Sequence, residues 1–170
     1  MKEALEGLLP RLLPPEVTPI YVTHEGKSDL DKSIPRKLRG WGNPDARFVI
    51  LRDQDGADCH VVKRRIQRLC SRAGRPDAVV RIVCHHLEAW FLGDLEAVEA
   101  AFGLHGLAAL GGRRHLRDPD ALPNASQELK KLVPSYQKRS GARAIGIHLD
   151  SERNRSRSFR VFIEGLRRLL

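Results

Sequence analysis

Several features are absent from the 170-residue sequence, and their absence narrows the classes to which the protein can belong. No apolar run approaches the roughly 18 residues that a membrane-spanning helix needs. The N-terminal stretch MKEALEGLLPRLLPPE mixes acids with its leucines and lacks a small-residue cleavage site, so it is not expected to be a signal peptide. Internal repeats and low-complexity tracts are also absent. We therefore expect one soluble, cytoplasmic domain with no membrane partner.

Cysteine is scarce, and its spacing excludes two common roles. The three cysteines, Cys59, Cys70 and Cys84, are an odd number and follow no zinc-finger pattern. Histidines directly follow Cys59 and Cys84, but these spacings fit no closed zinc site. The simplest interpretation is three free thiols in a reducing cytoplasm.

The charge that is present is strongly basic, with a formal net charge of +9. Residues 138–170 contain nine Lys or Arg against three acids, a net of +6, so the other 137 residues supply only +3. A basic terminal segment of this kind is typical of proteins that contact phosphates. The sequence therefore predicts nucleic-acid contact, with a merely solvated, arginine-rich surface as the alternative.

Apolar patterning predicts alternating strands and helices. The predicted strands cover 18–23, 47–51 and 77–84, and the predicted helices cover 2–13, the later part of 24–41, 57–73, 86–104, 126–133 and 156–170, with a loop at 105–125. Ser28 and Asp94 are the expected caps of two helices, and Trp90 is expected in the core. This order predicts a single α/β domain with a parallel sheet flanked by helices. Its sheet core would cover about 1–104 and a helical, basic C-terminal part about 105–170.

Two carboxylates follow the apolar run 48–51, where Arg52 is succeeded by Asp53, Asp55 and Gly56. Ligands of open parallel sheets bind beyond the carboxyl ends of the strands. Residues i and i+2 of an extended segment point to the same side, where two carboxylates repel each other unless a cation neutralises them. The pattern therefore predicts a site for Mg²⁺ or Mn²⁺. Capping of the next helix by one of the aspartates is the alternative.

Two further acids follow the other predicted strands. Glu25 comes just after the first strand, and Glu88 comes just after the third. Glu25 alone would be an ordinary surface residue, and Glu88 alone an ordinary acid in the first turn of a helix. Because carboxyl ends of parallel strands meet at one edge, we predict that Asp53, Asp55 and at least one of these glutamates converge there as metal ligands.

Five segments in order, EGKSDL, VILRDQDGADC, LEAWFLGD, YQKRSGA and NRSRSF, resemble an uncharacterised bacterial and archaeal family with a Toprim-like catalytic domain. That family is related to nucleases of the overcoming-lysogenization-defect type. The resemblance covers nearly the whole chain and implies a Rossmann-like Toprim sheet. It implies that Asp53 and Asp55 form the family's Asp-x-Asp pair. Glu88 would be a further catalytic acid and Lys138 a catalytic lysine.

The activity implied by the resemblance is metal-dependent hydrolysis of phosphodiester bonds in DNA or RNA. It also implies a setting in phage defence, with an ATPase of the ABC or SMC type as a candidate partner. The residues expected to hold substrate phosphates are Lys27, Arg52, Lys138, Arg155 and Arg157. We therefore expect the segment 138–157 to border the acidic edge of the sheet.

The same resemblance implies that the chain lacks the family's first strand and the glutamate on it. That strand would lie centrally, between the strands predicted at 18–23 and 47–51. We expect either a gap between these two strands or a direct pairing that compensates for it. Weak or no nuclease activity is expected in either case.

Two alternatives to a nuclease remain. The stretch FVILRDQDG also resembles the motif of haloacid-dehalogenase-type phosphatases, in which Asp53 would be the nucleophile and Asp55 the general acid. That motif normally lies on the first strand and continues with Thr or Val, whereas here a strand precedes it and Ala57 follows. The second alternative is a non-catalytic module that binds nucleic acid or an ATPase.

Overall fold

A computed structural model describes residues 1–170, and it consists mostly of helices around a small sheet. The helices are α1 Lys2–Leu8, α2 Lys27–Arg39, α3 Cys59–Arg72, α4 Glu88–Leu92, α5 Leu95–Phe102, α6 Leu107–Leu110, α7 Ala125–Leu132, α8 Lys138–His148 and α9 Arg157–Arg167. The strands β1 Val49–Asp53 and β2 Val79–Val83 pair in parallel, with Asp53 opposite Val83. The protein is thus mixed α/β with a helical C-terminal part. None of its helices has the length and apolarity to cross a membrane.

The two faces of the sheet contact two separate hydrophobic clusters, because successive side chains of a strand point to opposite faces. Ile50 and Ile82 pack on the smaller cluster, which contains residues of α2 and α3 such as Ile34 and Ile66. Val49, Leu51 and Val83 face the larger cluster. The larger cluster joins α1 to the C-terminal helices, so the N-terminal and C-terminal parts of the chain share one core.

The α3 crossover between β1 and β2 forms as predicted. Its N-cap is Asp58, whose carboxylate accepts the backbone N–H of Val61 at 2.9 Å. Val62, Ile66 and Cys70 recur at helical spacing and are buried against the sheet. Because the capping residue is Asp58, neither Asp53 nor Asp55 caps this helix, and the capping alternative for that pair is wrong.

The strand predicted at 18–23 is wrong. Residues 17–24 form neither helix nor strand, and the backbone of 18–23 makes no backbone hydrogen bond. Ile20 is 70% exposed. All of a strand's backbone hydrogen bonds go to its neighbours, so the β-forming composition of TPIYVT is insufficient without a partner strand. β1 pairs only with β2, so the compensating pairing is absent and the other edge of β1 is open.

Several predicted helix boundaries also change. The predicted helix 86–104 is two helices, since the chain breaks at Gly93 and Asp94, where Asp94 caps α5 as predicted by accepting the N–H of Ala97. Ser28 does not cap α2, whose N-cap is Gly26, without a side-chain cap. The predicted helix 2–13 ends at Leu8 and continues as a 3₁₀ turn that contains Pro10. The predicted loop 105–125 holds α6 and two short 3₁₀ turns.

The close packing of α1 on α8 requires a residue without a Cβ at Gly7. A Cβ there would lie 2.7 Å from the carbonyl oxygen of Arg143 and 2.8 Å from the amide nitrogen of Ile147. We expect Gly7→Ala to lower the free energy of unfolding by about 1–2 kcal/mol, because overpacking against fixed backbone atoms costs about 2–3 kcal/mol and the gain in helix propensity returns only about 1 kcal/mol. Urea unfolding measures this change.

The matched control is Gly42→Ala, because a Cβ at Gly42 meets nothing within 4 Å. We expect that substitution to change the free energy of unfolding by less than about 0.5 kcal/mol. Equal losses in the two variants would contradict the close contact between α1 and α8.

Candidate active site at the sheet edge

The loops that follow β1 and β2 are joined at the carboxyl edge of the sheet by Gln54. Its backbone N–H extends the strand pairing by donating to the carbonyl oxygen of Val83 at 2.9 Å. The side-chain Oε1 accepts the N–H of His85 at 3.3 Å, and Nε2 donates to the carbonyl oxygen of Ala57 at 2.8 Å. These bonds hold both loops against one another.

Two non-glycine residues at this edge have left-handed backbone conformations. Asp55 and His85 both have φ of 53°, and Gly56 has φ of 72°. A side chain in this region costs about 1–2 kcal/mol, and strain of this kind clusters at functional sites. The conformation of Asp55 also corrects the sequence argument, because Asp55 lies exposed in a turn and is not the extended i+2 neighbour of Asp53.

Asp53, the last residue of β1, has an unusual carboxyl group. Its Oδ1 is buried and has no hydrogen-bond partner. Burial is the main cause that raises the pKa of the Asp53 carboxyl to about 6. The charges of Asp55 and Glu88 add to this rise, and the Met1 amino group and His86 oppose it. At the sheet edge the charges of Asp55 and Glu88 therefore act on Asp53, and so does that of His86, which the sequence analysis missed.

Glu88 is buried at the start of α4 and is held by a residue that the sequence analysis also missed. The hydroxyl of Tyr136 donates to Glu88 Oε1 at 3.3 Å. Burial, followed by the charge of Glu88, raises the pKa of the Tyr136 phenol. Tyr136 precedes Lys138 by two residues, so this bond ties the segment just before α8 to Glu88. The signal was present, since Tyr136 opens the segment YQKRSGA.

The acids at this edge do not form a complete metal-binding site by themselves. No three His, Cys, Asp or Glu side chains are grouped so that they could hold a metal ion. Glu25 is exposed and is not among the main charges that act on Asp53, so the predicted four-acid set is not assembled. Mg²⁺ commonly binds one or two carboxylates and completes its shell with waters and substrate phosphates. The orphaned oxygen of Asp53 fits that arrangement.

One comparison with known proteins found a match over nearly the whole chain. A family model described as "Domain of unknown function (DUF4276)" matches residues 1–167. The chain belongs to this family. Searches among curated proteins and among solved structures found no match.

Two of the five phosphate-binding residues predicted in this DUF4276 chain have structural contacts instead. Arg52 is buried on the opposite face of the sheet from Asp53, with its Nη1 3.7 Å from Asp31 Oδ1 of α2. Arg155 donates to the carbonyl oxygens of Gly111 and Leu92, and thereby ties the loop after α6 to α4. The other three, Lys27, Lys138 and Arg157, are exposed and form no ion pair.

The NRSRSF segment of the DUF4276 chain has a structural role. Asn154 donates from Nδ2 to the carbonyl oxygen of Trp90 at 2.8 Å. Ser156 and Ser158 both donate from their hydroxyls to Asp120, and Trp90 donates from Nε1 to Ser158 at 2.9 Å. Trp90 lies in the core as predicted. The segment therefore anchors the start of α9 to α4 and to the loop around Asp120.

Much of the basic excess in residues 138–170 is also structural. Four of its nine cations form ion pairs: Arg139 with Glu3, Arg143 with Glu6, Arg153 with Asp94 and Glu96, and Arg167 with Glu152 of the same segment. Arg155 is committed to backbone carbonyls. The net charge of the segment therefore overstates the number of cations available to a ligand.

Proposed function

We propose that this DUF4276 protein is a Mg²⁺- or Mn²⁺-dependent phosphodiester hydrolase of the Toprim-like type, acting on DNA or RNA. The observation that supports it most is the carboxyl group of Asp53. It lies at the carboxyl end of a parallel strand, its Oδ1 is buried without a partner, and its pKa is raised by burial and by neighbouring acids. A bound cation would neutralise this concentration of negative charge and would give the unpaired oxygen of Asp53 a partner.

In this proposal Asp53 holds the cation, and Asp55 and Glu88 add negative charge around it. A bound divalent cation would polarise the scissile phosphate and lower the pKa of an attacking water. Asp53 is ready to bind a cation above pH about 6, where its carboxyl group is ionised. Tyr136 orients Glu88 by its hydrogen bond.

Exposed cations complete the proposed site. Lys138 begins α8 two residues after Tyr136, and its ammonium group would bind a substrate phosphate. Lys27 begins α2 and Arg157 begins α9, and both are exposed without an ion pair. We propose that these three cations position the nucleic-acid backbone for hydrolysis.

A non-catalytic nucleic-acid-binding module is the second candidate. Two observations favour it: Glu88 is already engaged by Tyr136, and no group of three potential ligands is assembled. A fold that retains its basic surface but not its full set of acids would bind phosphates without cleaving them.

Cleavage assays separate these candidates. We expect labelled single-stranded and duplex DNA and RNA to be cut with Mg²⁺ or Mn²⁺ and not with EDTA. Asp53→Asn should lower the rate about a hundredfold or more, since it removes the charge that holds the cation. The matched control is Asp77→Asn, because Asp77 is exposed just before β2, at the opposite end of the strands.

The outcomes are distinct. Equal rates in the two variants would refute the role of Asp53. Binding of nucleic acid that needs no metal and is never followed by cleavage would favour the binding module. Turnover of an aryl phosphate with a trapped phosphoryl group on Asp53 would instead support the haloacid-dehalogenase-type alternative.

A further inference from the structure

The solvent-facing side of α3 carries a stripe of arginines that the sequence analysis did not single out. Arg64, Arg68 and Arg72 follow one another at intervals of four residues and are all exposed. With Gln67 and Ser71 they line an open surface depression that contains no hydrophobic and no acidic side chain. We call these three residues the α3 arginine stripe.

The α3 arginine stripe has no ionic partner within the protein. None of its guanidinium groups lies within 4.0 Å of a carboxylate, whereas neighbouring Arg65 pairs with Asp31. The acid at the start of α3, Asp58, uses its carboxylate to accept the N–H of Val61. Helix α3 itself contains five Lys or Arg and no acid. The net charge of only +3 over residues 1–137 does not reveal this local concentration of cations.

Nothing in the fold itself requires these arginines. The buried side of α3 supplies the packing through Val62, Ile66 and Cys70. Like charges four residues apart destabilise a helix slightly, so the stripe costs stability. This contrasts with Arg139, Arg143 and Arg167, which each pair with an acid. A repeated unpaired cation on an exposed face indicates an external anionic partner.

The spacing of the stripe suits a phosphate backbone. Residues four apart on a helix are separated by about 6 Å along its axis, so the three arginines extend over about 12 Å. One strand of a DNA duplex advances about 3.4 Å per nucleotide, so the stripe matches three or four successive nucleotides. Guanidinium groups bind phosphate oxygens with two parallel hydrogen bonds, and such contacts do not depend on base sequence.

We infer that the α3 arginine stripe is a binding surface for the phosphate backbone of a nucleic-acid duplex, separate from the residues proposed to carry out hydrolysis. Its side chains lie on the outer face of the helix, while Asp53 faces the other side of the sheet. The stripe would hold the duplex by charge-assisted hydrogen bonds to phosphates, without reading the base sequence. This binding requires neither a divalent cation nor Asp53.

The test is binding of a fluorescein-labelled DNA duplex of about twenty base pairs, measured by anisotropy in EDTA between about 50 and 200 mM KCl. We expect the variant R64Q/R68Q/R72Q to bind about ten- to a hundredfold more weakly at the lowest salt. The slope of log affinity against log salt should become shallower by about 2 to 3, one counterion for each lost phosphate contact.

A charge-matched control is R139Q/R143Q/R167Q, which lowers the formal net charge from +9 to +6, as the stripe variant does. We expect it to retain the wild-type salt slope to within about one. Equal losses in the two variants would show a general charge effect and overturn the inference. Wild-type affinity of the stripe variant would also overturn it, as would stripe-dependent binding to phosphatidylserine vesicles without duplex binding.

Folding and catalysis are controlled separately. Arginine and glutamine have similar helix propensities, so the stripe variant should keep the wild-type circular dichroism spectrum and thermal midpoint. The binding assay contains EDTA, so it reports binding without metal-dependent hydrolysis. If no nuclease activity is found but the stripe variant still loses binding, the proposed hydrolysis fails and this inference stands.

Discussion

Replacing Asp94 with alanine is expected to lower the free energy of unfolding by about 3 kcal/mol. The Asp94 side chain is fully buried and accepts two hydrogen bonds on each oxygen. One oxygen accepts from Ala97 N and Arg153 Nε, and the other from Asp150 N and Arg153 Nη2. Breaking a buried ion pair costs about 3–5 kcal/mol, and the lower value applies because the Arg153 side chain is 37% exposed and can rehydrate.

Urea unfolding at neutral pH measures this loss. The control is Asp45→Ala, because Asp45 is exposed and forms no ion pair, so a change below about 0.5 kcal/mol is expected. A loss of less than about 1 kcal/mol in Asp94→Ala would mean that the joint between α4, α5 and the loop before α9 does not depend on this carboxylate.

Asp53→Asn is expected to stabilise the folded protein at neutral pH while removing the proposed activity. The pKa of the Asp53 carboxyl is about 6 when folded, against an ordinary 3.8, so the folded state binds this proton more tightly than the unfolded state. The group therefore favours folding fully below pH about 4, and this contribution is lost as pH rises through about 6. A rise in the pKa from 3.8 to about 6 corresponds to about 3 kcal/mol, which partial exposure of Asp53 reduces to about 1–2 kcal/mol.

The measurement is the free energy of unfolding of wild type and Asp53→Asn at pH 4 and pH 8. We expect the variant to be more stable by about 1–2 kcal/mol at pH 8 and equal at pH 4, while Asp77→Asn shows no such dependence. Equal stabilities at pH 8 would contradict the raised pKa of Asp53.

Stabilisation by Mg²⁺ tests the role of the Asp53 carboxyl independently of the pH dependence. A cation that binds only the folded state raises its stability, so Mg²⁺ should raise the thermal midpoint of the wild type and of Asp77→Asn but not of Asp53→Asn. An equal rise in all three proteins would place the cation elsewhere. Stabilisation on removing a buried charge, combined with loss of activity, is typical of functional sites.

Local patterns in the sequence determined the central β–α–β unit and several of its details. The apolar runs that became β1 and β2, the crossover α3, the N-cap Asp94 and the buried Trp90 were all predicted, because each depends on residue periodicity or on a neighbour a few positions away. Strand direction also accounts for the charges of Asp55 and Glu88 that act on Asp53 at the carboxyl edge of the sheet.

Only the tertiary structure decided which charges are free and which strands find partners. The sequence analysis predicted that Arg155 binds phosphate, but its guanidinium group donates to backbone carbonyls. Arg64 was not singled out, because residues 1–137 together have a net charge of only +3, yet it forms no ion pair. The segment 18–23 has the composition of a strand but no partner to pair with. Ion pairs and strand pairs join residues distant in sequence, so their outcome depends on how the whole chain packs and not on any local pattern.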